Sequence, residues 1–382
     1  MKNNLKSKLP STGTNIFTKI SSLANSYKAI NLSQGFPDFE VDTTLKKLVK
    51  KNLDLGFDQY APMQGVLKLR KAIAKKHHQL YGKYYDEADE ITITAGATQA
   101  IFTTITAFIG PGDEVIIFSP TYDCYQPAVE LNQGKIIFIE LDSPDFKIDW
   151  ETVEKKISSK TKMIIVNNPH NPLGTILNNH DLSNLERLSE KNNLLVLSDE
   201  VYEHLVYDQR NHLSVCQYQN LYKRAIATFS FGKTFHVTGW KLGYVLAPKN
   251  LMREIRKVHQ FNVFSCNHPF QIAISEYLED EDHFLNLQNF YQAKRDLFLE
   301  IISASRFIAK PCQGTYFQLL NYSEISDKPD TIMAKDLIIN KGIASIPISV
   351  FSAQKKDENN LRFCFAKKEE TLKRAGDILI RI

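Results

Sequence analysis

The chain has 382 residues, 43% hydrophobic and 24% charged. That composition suits a soluble globular protein of roughly two domains and excludes a disordered or low-complexity chain. Its 47 basic and 43 acidic residues leave a net charge of +4. Lysine pairs such as Lys46-Lys47 and Lys155-Lys156 are spaced like solvated helix faces, so no nucleic-acid partner is expected.

Five scattered cysteines without a Cys-x-x-Cys predict neither a metal site nor a disulfide framework, and fit reduced thiols in a cytoplasmic protein. No apolar run approaches membrane-spanning length, so no membrane partner is expected. The first forty residues show no sheet pattern, and Asn31-Leu32-Ser33-Gln34-Gly35-Phe36-Pro37-Asp38 reads as an ordered loop. Strands are then predicted over 90–94, 114–118, 135–141, 162–166, 194–198, 225–229 and 244–247, with helices over 98–108, 149–157 and 181–191 among them. Runs such as Val115-Ile116-Ile117-Phe118 are apolar throughout, as strands buried on both faces must be. Alternating with helices, they predict an α/β fold: a mostly parallel central sheet covered by helices on both faces. Beyond residue 251 the pattern is helical, with a long stretch from about 283 to 303. Short strands follow near 315–320, 343–348 and 361–365, the composition of a smaller α+β unit. The predicted division is a large domain of residues 45–285 and a small one built from 1–44 and 286–382. Gly110 and Gly112 are followed by Val115 where a dinucleotide fingerprint needs its third glycine, so a nicotinamide site is not indicated.

Ligands of open α/β sheets bind at the C-terminal ends of strands, and five predicted strand ends carry polar motifs. Thr94-Ala95-Gly96-Ala97-Thr98 leads from strand to helix through small residues, which exposes backbone N–H groups to an anion, as many plain strand–helix turns also do. Pro120-Thr121-Tyr122-Asp123-Cys124-Tyr125 offers two rings. Asn167-Asn168-Pro169-His170-Asn171-Pro172 is a stiff loop that can hold an amide still, although Asn-Pro alone means only a turn. Ser198-Asp199-Glu200-Val201-Tyr202 places a carboxylate where a helix N-cap is the commoner use. Ser230-Phe231-Gly232-Lys233, with Lys241 eight residues on, delivers an amine with little bulk before it. That suits a lysine that must be partly desolvated to react with a carbonyl cofactor, whereas the same run taken alone describes two solvated lysines. Near the C-terminus, Leu361-Arg362-Phe363 sets an arginine in an apolar strand, where it serves either an ion pair or a bound carboxylate.

Together these segments resemble, nearly residue by residue, the class I and II aminotransferases, the fold type I enzymes that use pyridoxal 5'-phosphate. The resemblance runs from about residue 31 to residue 366. It implies that Lys233 is the Schiff-base lysine and general acid/base, that Asp199 pairs with the pyridine nitrogen, and that Asn171 and Tyr202 bond the phenolic oxygen. It makes Tyr122 the stacking ring, with Tyr125 the second choice. Ala97, Thr98, Ser230 and Lys241 would hold the phosphate, Lys241 standing where many relatives have Arg. Arg362 would bind the substrate carboxylate with Asn171 and Gly35 beside it. Tyr60 would cross to a neighbour's phosphate, which implies a homodimer with shared active sites.

The side-chain pocket implied by the resemblance is aromatic: Phe17, Phe36, Tyr60 and the partner subunit's Phe264. With no second arginine in that set, the expected substrates are methionine, other large apolar residues and aromatic amino acids, converted to 2-oxo acids by a ping-pong mechanism. Kynurenine-type members carry Trp at Phe17 and His at Ser265, so both positions favour the methionine type. A kynurenine- or glutamine-type enzyme with β-lyase activity toward cysteine conjugates is the alternative.

Overall fold

Seven strands form one sheet: β1 (Ile91–Thr94), β2 (Glu114–Ser119), β3 (Lys135–Glu140), β4 (Thr161–Asn167), β5 (Leu195–Asp199), β6 (Ala225–Ser230) and β7 (Gly243–Leu246). The computed structural model describes residues 6–10 and 12–382. The strands lie in the order β1-β7-β6-β5-β4-β2-β3, and β7 alone runs antiparallel to its neighbours.

The unbroken apolar runs have the expected cause. Ile116 and Phe118 pack into one hydrophobic core, and Val115 and Ile117 into a second one. Side chains of a strand alternate between faces, so a strand covered on both sides carries apolar residues at odd and even positions alike. Helix Gly96–Phe108 contributes Ala100, Ile101 and Ile105 to the second core. Helix Asn179–Lys191 begins two residues earlier than periodicity predicts, because Asn178 and Asp181 form a capping box.

A second sheet of four antiparallel strands comprises β8 (Ile308–Ala309), β9 (Phe317–Asn321), β10 (Ile346–Pro347) and β11 (Asn360–Cys364), in the order β10-β11-β9-β8. The strand predicted over 343–348 is two short pieces. Ile343–Ala344 pairs in parallel with Ile30–Asn31, while Ile346–Pro347 pairs with β11. The N-terminal region therefore does have a sheet role, invisible in a two-residue strand with no periodicity of its own. Leu32 extends the junction, its N–H donating to Ala344 O at 3.1 Å and its carbonyl accepting from Cys364 N at 2.7 Å. These bonds carry the loop around Gly35 across to the large sheet.

The five cysteines are all free thiols. Among the described residues, no helix is long and apolar enough to cross a membrane.

Candidate active site

The parallel strands deliver their polar ends to one edge of the large sheet. A cleft of about 170 Å³ opens there, lined by Ala97, Thr98, Tyr122, Asn171, Asp199, Tyr202, Ser230, Lys233 and Lys241, with Gly96, Asn167, Gly232 and Thr238 between them. Residues from five segments, separated by up to 145 positions from Gly96 to Lys241, thus face one space. Lys241 belongs to the set because β7 is antiparallel: its first residue, Gly243, lies beside the last residue of β6 and the last of β1.

Lys233 sits in the short helix Phe231–Thr234 directly after β6. Its Nζ donates to the Tyr316 hydroxyl at 2.8 Å and to the Gly35 carbonyl at 3.3 Å, and Tyr316 in turn donates to Gly35 O at 2.6 Å. Burial pulls the Lys233 ammonium down to about 8, which leaves a useful fraction of neutral amine near neutrality. Gly35 has no room for a side chain, since a Cβ would lie 2.6 Å from Phe317 Cζ. Its carbonyl can therefore approach the lysine only as glycine.

Asp199 ends β5 and is 4% exposed. Burial raises its carboxyl to about 6, and the hydrogen bond from Tyr125 opposes that rise. Its neighbour Glu200 turns away from the cleft, bonded to Ser198 Oγ at 2.8 Å, Val215 N at 3.1 Å and His212 Nε2 at 2.9 Å. Asn167 joins two of the loops. Its Nδ2 donates to Asp199 O at 2.9 Å, and its Oδ1 accepts from Asn171 N at 2.7 Å.

Arg362 lies on β11, 1% exposed, and approaches the cleft through Asn171 instead of lining it. Nη1 donates to Asn171 Oδ1 at 2.6 Å and Nη2 to Ser33 O at 3.2 Å, while Nε is buried without a partner among the described residues. The guanidinium lies 3.8 Å from the Phe317 ring centre and 5.3 Å from that of Phe17. Phe17 is held there from the start of helix Ile16–Ser26, where Asn15 caps its N–H and also donates to Asp123.

The remaining candidates stand apart from this cleft. Phe36 is 40% exposed, and its carbonyl accepts from Lys367 Nζ at 2.8 Å. Tyr60 and Phe264 pack edge to face on each other with ring centres 5.3 Å apart, and Tyr60 is 81% exposed. Sequence reasoning did not single out Tyr316 as a partner of Lys233, and it left Asn167 and Tyr125 in secondary places. A tyrosine in an apolar strand reads as core, and only the fold brings Tyr316 across to residue 233.

The donor set suits a phosphorylated aromatic aldehyde and an amino acid. Lys233 supplies an amine and Asp199 a buried acid for a ring nitrogen. Lys241, Ser230 and the start of helix Gly96–Phe108 offer a charge, a hydroxyl and free N–H groups to a phosphate. Gly96 has φ +78°, and a Cβ there would come within 3.6 Å of Lys241 Nζ, narrowing that cradle. The unpaired N–H of Arg362 matches a carboxylate oxygen.

This fold and this cleft are those of an aminotransferase. A family model for class I and II aminotransferases matches residues 27–379, and the chain belongs to that family. The chain is 45% identical to the methionine aminotransferase of Escherichia coli K12, covering 98% of this chain and 97% of that one. It is 34% identical to human kynurenine–oxoglutarate transaminase 3, over 96% and 87% of the two chains. The solved structure of E. coli YbdL, described as having a methionine aminotransferase function, superposes with a TM-score of 0.96 at 44% identity, over 99% of both chains. The N-succinyldiaminopimelate aminotransferase of Mycobacterium tuberculosis gives 0.94 at 31% identity, again over 99% of both.

Proposed function

We propose that this aminotransferase uses pyridoxal 5'-phosphate and transfers the amino group of methionine, and of other large apolar and aromatic amino acids, to a 2-oxo acid by a ping-pong mechanism. The observation that carries this reading is Lys233, a buried amine with a lowered pKa facing the same cleft as Asp199 and Asn171. Bound there, the cofactor supplies an electron sink that makes the substrate Cα–H acidic.

The chain's own residues do the rest. Lys233 is the amine that would hold the cofactor and then moves the proton at the substrate Cα, for which a pKa of about 8 is well matched. Asp199 holds the proton on the ring nitrogen. Tyr122 provides the ring face, and Tyr202 and Asn171 donate to the phenolic oxygen. Ala97, Thr98, Ser230 and Lys241 hold the phosphate, with Tyr60 of the partner subunit completing it. Arg362 binds the substrate carboxylate, and the buried aromatic walls around it exclude water from the reacting bonds.

Methionine is favoured because the side-chain environment near Arg362 is made of rings, including Phe17, against which a flexible thioether packs well. The methionine aminotransferase of E. coli, at 45% identity, supports the same choice. Phe17 and Ser265 are the residues that set this chain apart from the kynurenine type. A homodimer is supported by the exposed pair Tyr60–Phe264 and by Phe261, close to Phe264 in sequence and 86% exposed. The same reading divides the chain into a large domain, 45–285, and a small one of 1–44 and 286–382.

The purified protein should be yellow with pyridoxal phosphate, lose that absorbance on adding methionine, and show an altered absorbance as Lys233→Ala. Colourless protein that takes up no pyridoxal phosphate would sink the proposal. Faster turnover with aspartate than with methionine would refute the substrate assignment alone.

A further inference from the structure

Tyr125 begins helix Tyr125–Leu131 and is 2% exposed, outside the lining of the cleft. Its hydroxyl donates to Asp199 Oδ2 at 2.6 Å. We infer that Tyr125 is a positioning residue that orients the Asp199 carboxylate toward the cofactor's ring nitrogen and keeps it ionised; the inference rests on the cofactor reading above.

The orientation argument starts from the backbone. The Asp199 carbonyl accepts from Asn167 Nδ2 at 2.9 Å and Asn168 N at 3.0 Å, and Glu200 N donates to Thr228 O at 2.9 Å. The main chain is therefore held on both sides, and the freedom left is rotation of the carboxylate, a broad torsion in aspartate. A 2.6 Å bond from a buried phenol removes that freedom by claiming Oδ2. Among the described residues the other oxygen receives only Val201 N at 3.4 Å, so Oδ1 is left to accept a second strong donor.

The ionisation argument concerns charge in a dry place. Burial favours the neutral acid at Asp199, and a donated hydrogen bond favours the anion. Burial also holds the Tyr125 phenol well above its ordinary range, so the proton stays on the tyrosine. The titratable groups around Asp199 are Tyr122, Cys124 and Tyr125 on the 120–125 segment, Glu200 and Tyr202 on its own turn, and Lys233 from the next strand. Lys233 also favours the anion and Glu200 opposes it, but neither is hydrogen-bonded to the carboxylate. Tyr122 lines the cleft and lies 5.7 Å from the Tyr125 ring. One short segment thus reaches both the cleft and the buried side of the acid.

The test is Tyr125→Phe, which deletes one oxygen. In the cofactor-free protein, a carbon-13 titration of the Asp199 carboxyl should move up by about one pH unit, roughly tenfold in its protonation equilibrium. In the holoenzyme, the acid limb of kcat/KM for methionine should move to higher pH in step, because the ionised acid is the active form. kcat should fall about tenfold with little change in the KM for methionine. Tyr125→His, which keeps an N–H donor, should bring the limb back toward the parent value. An unmoved titration together with an unmoved acid limb would overturn the inference. If Tyr125→Phe does not fold, Tyr125→His and Tyr125→Leu are compared: a higher limb only in the leucine variant supports the inference, and the same limb in both overturns it. A parent protein that takes up no pyridoxal phosphate fails the cofactor reading and leaves the carbon-13 titration to decide the role of Tyr125.

Discussion

Arg362, on the small antiparallel sheet, donates to the side chain of Asn171, on a loop of the large sheet, at 2.6 Å across 191 positions of chain. Asn171 is tied through its own N–H to Asn167, and Asn167 to the carbonyl of Asp199. A carboxylate on Arg362 is thereby linked by a short series of bonds to the end of β5. Replacing Arg362 by Lys retains charge but loses the planar fork. We expect KM for methionine and for the 2-oxo acid to rise about 10- to 100-fold with a smaller loss in kcat, as read by steady-state kinetics with each substrate varied in turn.

Lys233→Ala should lower kcat by more than about 10³-fold, since the proposed function assigns this one residue both the amine that holds the cofactor and the base at Cα. Single-turnover assays with methionine on protein reconstituted with excess cofactor will measure the residue.

Tyr316→Phe tests the bond to Lys233. A hydroxyl that accepts from an ammonium favours the charged form, so its removal should drop the lysine further below its parent value of about 8. Cofactor uptake needs the neutral amine and rises with pH through that pKa. The half-rise should therefore shift to lower pH by about one unit, followed by stopped-flow absorbance across a pH series.

Asp199→Asn should separate stability from activity in the cofactor-free protein. Asp199 has its folded pKa raised to about 6 from the usual carboxylate range. The unfolded state then binds fewer protons between about pH 4 and pH 6, so this group's contribution falls as pH rises through that window and stays low above it. The asparagine variant should be more stable at pH 7 by about 1–3 kcal/mol, measured by urea denaturation, and nearly inactive with cofactor.

Beneath the site, Lys76 and Glu203 form an ion pair with both side chains almost wholly buried, and Tyr81 donates to Glu203 at 2.8 Å. Removing one member strands the other. Glu203→Ala should cost about 3–5 kcal/mol, and Lys76→Met combined with Glu203→Leu markedly less, in equilibrium denaturation of the two variants.

The proposed homodimer with shared active sites predicts complementation. Mixing Lys233→Ala with Tyr60→Ala subunits and allowing exchange should restore about a quarter of parental activity, because half the dimers are hybrids with one intact site. No recovery, with exchange verified by native mass spectrometry, would refute the shared site.

The sequence by itself determined the large sheet and the identity of its polar strand ends. Runs such as Val115–Phe118, bounded by turns and alternating with helices, fit strands buried on both faces, and parallel strands collect their C-terminal ends along one edge whatever lies between them. That rule of connection sets the polar strand ends along one edge, and the resemblance to aminotransferases picks Tyr122, Asn171, Asp199 and Lys233 out of them as one site. The tertiary structure alone decided what crosses between the sheets. The two-residue pairing of Ile30–Asn31 with Ile343–Ala344, the contact of Tyr316 with Lys233, and the reach of Tyr125 to Asp199 join segments whose sequences carry no mark of one another. A buried tyrosine looks the same in sequence whether its hydroxyl meets a carbonyl, a lysine or an acid, and which one it meets is set by packing between distant elements.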